Sequence, residues 1–390
     1  MGKRGRSDAF GGIFGKYFLP GIVLQSVLIG GGYATGREIV EFGAKFGALG
    51  WFGGIGIFLG FSLISVLTFE MCRLFRNYNY KSFIQEIAGP LWIGFDILYL
   101  LLAIIVIAVM ASATGEIVKD TLGLPYWGGV AGVIVIVGLL NFYGSRMIER
   151  FETYGTLALY AGYLVFGTLV IKATTPQIAE VFATGDTSFV ANASIPAIIW
   201  SGIVYVGYNV VVYPACFFTL KRQTSRKETI GAGLISGVLM TLPWFLTYFA
   251  IMGFYPQKEV LGASVPWLAM MKDIAGPGVI GVFGFVVGWT LIETSTGMIH
   301  ALLERVSAGL NEVGRPSLTP TQKAVITVFV LILATVFAKV GIIGLIAKGY
   351  SMIAYGMIAV YIIPLVTMGA YKVIKGESSS DDATCVSEAA

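Results

Sequence analysis

The chain has 390 residues and a net charge of +4; 56% of its residues are hydrophobic and only 12% carry charge. Ordinary soluble domains are about 25% charged, so a water-soluble globule is excluded and an all-α integral membrane protein is expected. Three scattered cysteines and a single histidine leave no disulfide framework and no histidine-rich metal site.

After a basic N-terminal segment, residues 1–13, the first hydrophobic span covers 14–46 and is interrupted by Gly30-Gly31-Gly32-Tyr33-Ala34-Thr35-Gly36-Arg37-Glu38. Each glycine costs a helix about 1 kcal/mol relative to alanine. Non-helical backbone at membrane depth persists only where it is buried in protein or lines a cavity. The stretch therefore predicts a broken helix whose free N–H and C=O groups converge on one spot and receive an anionic group and a cation side by side. Close helix packing through small residues is the other use of such a stretch. Arg37, Glu38 and Glu41 follow on the outer half of this span. Arg37 and Glu41 are one turn apart, so they either pair with each other or Arg37 faces the outer vestibule as part of a gate or reaches toward Glu293.

A window of about 20 apolar residues marks nine further spans, near 48–74, 90–116, 127–143, 152–172, 194–220, 229–254, 277–303, 322–344 and 349–373. Pro243 and Pro364 are expected to kink the seventh and tenth. Residues 174–192 read as a polar outside loop with a chance-level glycosylation triplet at Asn192. In 255–276, Ser264-Val265-Pro266-Trp267 reads as a helix start, Ser264 as cap and Pro266 early in the first turn, which predicts a short helical hairpin or lid. The tail, 374–390, has the composition of a disordered cytoplasmic end.

Lysine and arginine placement orients the spans. With the N-terminus cytoplasmic, inside segments hold 18 of the 26 basic residues and outside segments hold 8. Ten spans with both termini inside a cell membrane is the consistent solution.

The centre of the sixth span, Tyr205-Val206-Gly207-Tyr208-Asn209-Val210, is a second interruption of apolar sequence, with Pro214 beyond it. Five spans separate it from the first, so the two breaks run through the bilayer in opposite directions. Hydropathy thus predicts a single domain over 14–373, built as a 5+5 inverted repeat of about 14–172 and 194–373.

Glu293 falls near the centre of the eighth span, where an ionised side chain costs several kcal/mol unless paired, solvated or neutralised. Thr290, Thr296, Gly297, His300 and Glu304 share its helical stripe toward the cytoplasm. Two readings stand: a protonatable or cation-binding coupling site with a wet path inward, or a neutral Glu293 hydrogen-bonded across helices with His300 satisfied at the interface.

Ten spans with breaks in the first and sixth resemble the LeuT-type fold of the amino acid, polyamine and organocation transporter superfamily. Residues 30–42, from the triple glycine through Glu41-Phe42, further resemble the bacterial YkvI-type group, which is classified with the amino acid permeases. The resemblance implies substrate between Gly30, Gly31, Gly32, Tyr33 and Thr35 on the first span and Val206, Gly207, Tyr208 and Asn209 on the sixth. A coupling cation is implied between backbone oxygens near Ser26 and Ile29 and the hydroxyls of Thr294, Ser295 or Thr296. Glu293 beside those hydroxyls departs from the sodium-coupled pattern, and the fifth span lacks the mid-membrane lysine of some proton-coupled relatives.

These features predict a secondary transporter of a small solute, an amino acid or related zwitterion, working by alternating access coupled to H+ or Na+. No further cofactor and no nucleic-acid partner is expected; the substrate and the lipid bilayer are the partners. A sensor or channel on the same scaffold is the alternative. An enzyme is not indicated, because the sequence offers no nucleophile-base pair, phosphate loop or ligand cluster.

Overall fold

A computed structural model describes residues 12–143, 145–191 and 193–376. The expected N-terminal segment, most of the C-terminal tail and Asn192 lie outside the described residues. Those described are helical, connected by turns, with no strand among them.

The first span is built in pieces. A π-helical turn (Phe14–Phe18) leads into α1 (Leu19–Leu28), then come the four-residue α2 (Gly31–Ala34) and α3 (Arg37–Phe42), and a 3-10 segment (Ala44–Leu49) closes it. Between α1 and α2, Ile29 has φ −78° and ψ 67°, and the Gly30 amide donates to the Leu28 carbonyl at 2.8 Å. This is an inverse γ-turn, which ends the helix at membrane depth. A second break follows at Thr35-Gly36, where Gly36 adopts φ 81°, a conformation that glycine takes without steric cost.

Among the described residues seven helical segments are long and apolar enough to cross a membrane, beginning with α4 (Trp51–Phe75). α5 (Tyr80–Ala88) turns at Pro90 into α6 (Trp92–Leu122), so a short helix precedes the third span. Shorter apolar stretches cover Phe14–Leu28, Tyr126–Phe142 within α7 (Tyr126–Tyr143), and Leu159–Ala173 within α8 (Ser145–Ala173). The sixth span consists of α10 (Ile195–Asn209), a 3-10 segment (Val210–Cys216) and α11 (Phe217–Leu220). α12 (Arg226–Met252), α15 (Pro277–Glu312) and α16 (Pro320–Ala338) follow. The last span, Gly341–Gly376, includes α17 (Gly341–Gly344) and α18 (Ser351–Met357) with π-helical turns around them.

Large apolar side chains such as Leu59, Leu63, Leu164, Leu242, Phe285 and Phe329 stay exposed. That is the surface a lipid-facing helix presents and a soluble globule avoids.

One expectation is corrected. Residues 174–192 are not simply a loop: α9 (Thr175–Thr184) forms there, started by Pro176 and held by its apolar face. Val181 is buried and Phe182 packs on Tyr248 and Phe249 of α12 at 6.4 and 5.9 Å. α12 runs through Pro243 without a break. It packs along α4, and a Cβ on Gly233 or Gly237 would meet Val66 or Ser62 well inside contact distance. Close small-residue packing of this kind keeps a proline-bearing membrane helix in place.

The two ends of the bundle differ. At the basic end, Lys16 pairs with Glu228 at 2.6 Å, Arg305 with Asp96 at 3.1 Å and Lys323 with Glu304 at 3.1 Å. At the opposite, lid end, α13 (Lys258–Leu261) and α14 (Pro266–Ile274) form the expected hairpin. Pro266 opens α14, although Val265 and not Ser264 takes the cap position.

Candidate functional site

The broken stretch of the first span lies at the meeting point of the sixth, eighth and last spans. Its carboxylate, Glu38, is only 6% exposed. Tyr208, at the end of α10, donates its hydroxyl to Glu38 Oε2 at 2.6 Å. The other carboxylate oxygen folds back over Gly32: a Cβ there would sit 2.1 Å from Glu38 Oε1 and 3.3 Å from the Tyr350 hydroxyl of the last span. Only glycine at position 32 leaves room for this arrangement.

Aromatic rings enclose the carboxylate. Tyr208 lies 4.7 Å from Tyr350, 5.5 Å from Tyr205 and 5.5 Å from Phe42, measured between ring centroids. Tyr33 packs against Tyr163 of α8 at 5.9 Å, and the Tyr163 hydroxyl donates to the Tyr33 carbonyl at 2.7 Å. The fifth span is thereby tied to the break by a tyrosine.

Thr35 is fully buried and turned inward on its own segment, donating to the Gly32 carbonyl at 2.7 Å and accepting from the Arg37 amide at 3.2 Å. Gly31 begins α2. Gly30 faces the eighth span, where a Cβ would come within 3.3 Å of the Thr294 methyl carbon and 3.6 Å of its hydroxyl oxygen.

The four sixth-span residues separate. Tyr208 reaches the first span, whereas Val206 packs on Gly60 of α4 and Gly207 on Ala354 of α18. Asn209 donates its side-chain amide to the Tyr205 carbonyl at 2.8 Å, an internal bond that satisfies a polar group at depth. The departure from α-helix comes after this motif, at Val210–Cys216, and not within Tyr205–Val210 as expected. The 3-10 segment is held on α4 by Tyr213, whose hydroxyl donates to the Phe61 carbonyl at 3.1 Å and lies 2.9 Å from that of Ser65.

On α15, Glu293 is half-buried beside Thr294. Ser295 and Thr296 are buried, and their hydroxyls donate to Leu291 and Ile292 carbonyls one turn back at 2.8 Å each. Their lone pairs are left to accept or to coordinate. Ser26 does the same toward the Val23 carbonyl at 2.8 Å, and Ile29 is buried at the γ-turn. His300 is exposed on α15.

Arg37 faces the lid. It donates to the Leu261 carbonyl at 2.6 Å and the Ala263 carbonyl at 3.3 Å, and meets Glu41 at 3.4 Å. Glu41 also pairs with Lys45 at 2.6 Å. The expected intrahelical pair with Glu41 is thus present, and Arg37 also holds the carbonyls at and just beyond the end of α13.

Glu38 is the residue that the sequence reading left among the outer charges. Its signal was there in part: counted from Tyr33 through a glycine-broken turn, it belongs to the same interrupted stretch. Its partner, Tyr208, is 170 residues away.

No family model matches the chain. It is similar to the uncharacterized membrane protein YkvI of Bacillus subtilis (strain 168), 23% identical over 356 residues, which cover 86% of this chain and 92% of that protein. Among solved structures it resembles MHP1, a nucleobase-cation-symport-1 family transporter in a closed conformation with bromovinylhydantoin bound. The TM-score is 0.58 at 14% identity, over 89% of this chain and 76% of that one. It also resembles a Na+-coupled sialic acid symporter in a substrate-bound outward-open state, with a TM-score of 0.54 at 12% identity over 92% and 88%. A third is MhsT in complex with L-phenylalanine, with a TM-score of 0.54 at 11% identity over 93% and 98%. The chain is a multi-pass membrane protein homologous to YkvI, and its fold is that of the LeuT-type transporters.

Proposed function

We propose that the chain is a secondary active transporter of a small solute bearing an amino group, such as an amino acid. In this reading it works by alternating access in a cell membrane with both termini cytoplasmic. The observation that carries it is the bond from Tyr208 to Glu38, because it joins the interrupted first span to the end of the outer half of the interrupted sixth. Interrupted spans that meet at depth expose backbone groups which a continuous helix would consume internally. Likeness in fold to transporters supports the same class but names no solute, since one fold serves many and the site must supply the rest.

The solute is held between Gly30, Gly31, Gly32, Tyr33 and Thr35 on one side and the Val206–Asn209 turn on the other, with Tyr208 as the contact residue of that turn. The coupling ion, H+ or Na+, lies between the Ser26–Gly30 backbone and the Glu293–Thr296 turn. The approach of Gly30 to Thr294 supports this pairing. Arg37, Glu41 and the α13–α14 hairpin form the outer gate.

Reconstitution into liposomes tests the reading. Accumulation of an amino acid under an imposed pH or sodium gradient is the expected result. Passive equilibration marks a channel, and specific binding without flux marks a sensor; either removes the transporter assignment.

A further inference from the structure

Glu38 is a carboxylate buried inside the protein, and among the described residues no lysine or arginine forms an ion pair with it. Its chain neighbour Arg37 is committed elsewhere, to the Leu261 and Ala263 carbonyls and to Glu41. The Tyr208 hydroxyl satisfies one lone pair but brings no charge. A buried anion in this state requires a positive partner or a proton.

The surroundings select among positive partners. A hard divalent ion takes six or more oxygen ligands, carboxylates prominent among them, and no group of three or more histidine, cysteine, aspartate or glutamate side chains able to hold a metal occurs among the described residues. Glu38 instead accepts from the Tyr208 hydroxyl, and the Tyr208 ring packs against those of Tyr205, Tyr350 and Phe42. A carboxylate within aromatic rings is the environment that attracts an organic ammonium ion through charge and cation–π attraction together. The Tyr205 hydroxyl is fully buried, lies within electrostatic reach of Glu38 and Tyr350, and has no hydrogen-bond partner among the described residues. It is a further acceptor for an N–H donor. Near the α13–α14 hairpin, a cavity of about 290 Å³ is lined by Glu116, Asp120, Glu259 and Asp273; Lys119 pairs with Glu116 at 3.8 Å and Lys272 with Asp120 at 3.0 Å, and Glu259 and Asp273 keep the acids in excess. Its negative potential raises the local concentration of cations.

We propose that Glu38 and its tyrosine ring recognise the ammonium group of an organic amine, so that the selected solute needs the amine and does not need a carboxylate. The inference rests on the placement of the solute between the first and sixth spans proposed above, and it narrows the class. Gly32 is already occupied on its open side by Glu38 Oε1, so the anion at this part of the break belongs to the protein. The rings touch one another in this closed arrangement, and entry requires the lid and the two broken spans to part.

A charge-matched probe series on the full-length protein tests it. Phenethylamine, L-phenylalanine and 3-phenylpropionate share one body and differ in charge, and n-butylamine and valerate repeat the comparison with a smaller one. The expected result is that the amines raise the melting temperature in detergent and the two carboxylates do not. Glu38→Gln weakens amine binding by about tenfold or more. Glu38→Asp, which keeps the charge, retains the amine preference and covers the case in which the glutamine variant fails to fold. Equal binding of 3-phenylpropionate and phenethylamine, unchanged amine affinity in Glu38→Gln, or no stabilisation by either amine overturns the proposal. Amine binding without gradient-driven uptake removes transport and leaves the amine site standing. Accumulation of L-phenylalanine that 3-phenylpropionate inhibits and phenethylamine does not leaves transport standing and removes the amine site.

Discussion

The Trp267 amide donates to the Thr35 carbonyl oxygen at 3.2 Å, pinning the first turn of the lid helix to the second break of the first span. The indole covers Gly36, where a Cβ would sit 2.9 Å from Trp267 Cδ1, and packs edge-on to Tyr163 at 5.6 Å. The α13–α14 hairpin is therefore fastened to backbone that has left the helix.

Arg37 is the second fastening, and a hydrogen bond to a charged group contributes about 1.5–3 kcal/mol. Arg37→Ala is expected to release residues 258–263, raising amide hydrogen exchange there by about 10- to 100-fold while α4 and α12 stay protected. Exchange unchanged across the hairpin would show that Trp267 holds the lid alone.

Glu293 provides the test of coupling. Glu293→Gln is expected to abolish gradient-driven accumulation while sparing solute exchange, because exchange needs no net movement of the coupling ion. Counterflow and gradient-driven uptake in the same liposomes read the two activities; a mutant with wild-type accumulation and pH dependence removes Glu293 from the mechanism. Thr294→Val, close to the threonine in shape, separates the ions: loss of sodium stimulation with pH response intact points to Na+ at the Gly30–Thr294 contact.

At the basic end, Lys16 pairs with Glu228 at 2.6 Å and the Gln223 side chain donates to the Lys16 carbonyl at 3.0 Å. These contacts close the N-terminal turn over the inner part of the sixth span, where Cys216 is fully buried. In a Cys385→Ser background, Lys16→Ala is expected to speed maleimide labelling of Cys216 several-fold, and the label site is read by peptide mass. Labelling as slow as in the parent would mean that this pair does not control access from that end.

The α4–α12 contact predicts a stability effect remote from the site. A Cβ at Gly233 would lie 2.8 Å from the Val66 backbone nitrogen, which cannot move aside as a side-chain tip can. Gly233→Ala is expected to destabilise by about 1–3 kcal/mol, read as a lower melting temperature. Gly278→Ala, with nothing within 4 Å of its Cβ position, serves as the neutral control.

How far the chain could be read from its residues differs between its two breaks. The first was legible because Gly30-Gly31-Gly32 and Gly36 act locally: glycine removes the side-chain preference that holds a helix, and the backbone turns there at Ile29 and Gly36. The sixth was legible only to within a turn. Gly207 and Asn209 looked like interruptions, yet Gly207 lets α10 lie against Ala354, and Asn209 closes a bond within the helix to Tyr205. α9 was missed because its apolar positions count only once α12 offers them a surface.

Hydropathy, glycine placement and the spacing of hydrophobic spans determined by themselves that this is a broken-helix membrane protein, since those properties act over a few residues of chain. Which acid sits at the centre was decided by the tertiary structure alone. Glu293 stood out by its depth in an apolar run, whereas Glu38 looked like one of several charges near a span end. Folding buries Glu38 by bringing residue 208 against residue 38 and the last span over Gly32, and contacts between such distant segments leave no periodicity for a single sequence to display.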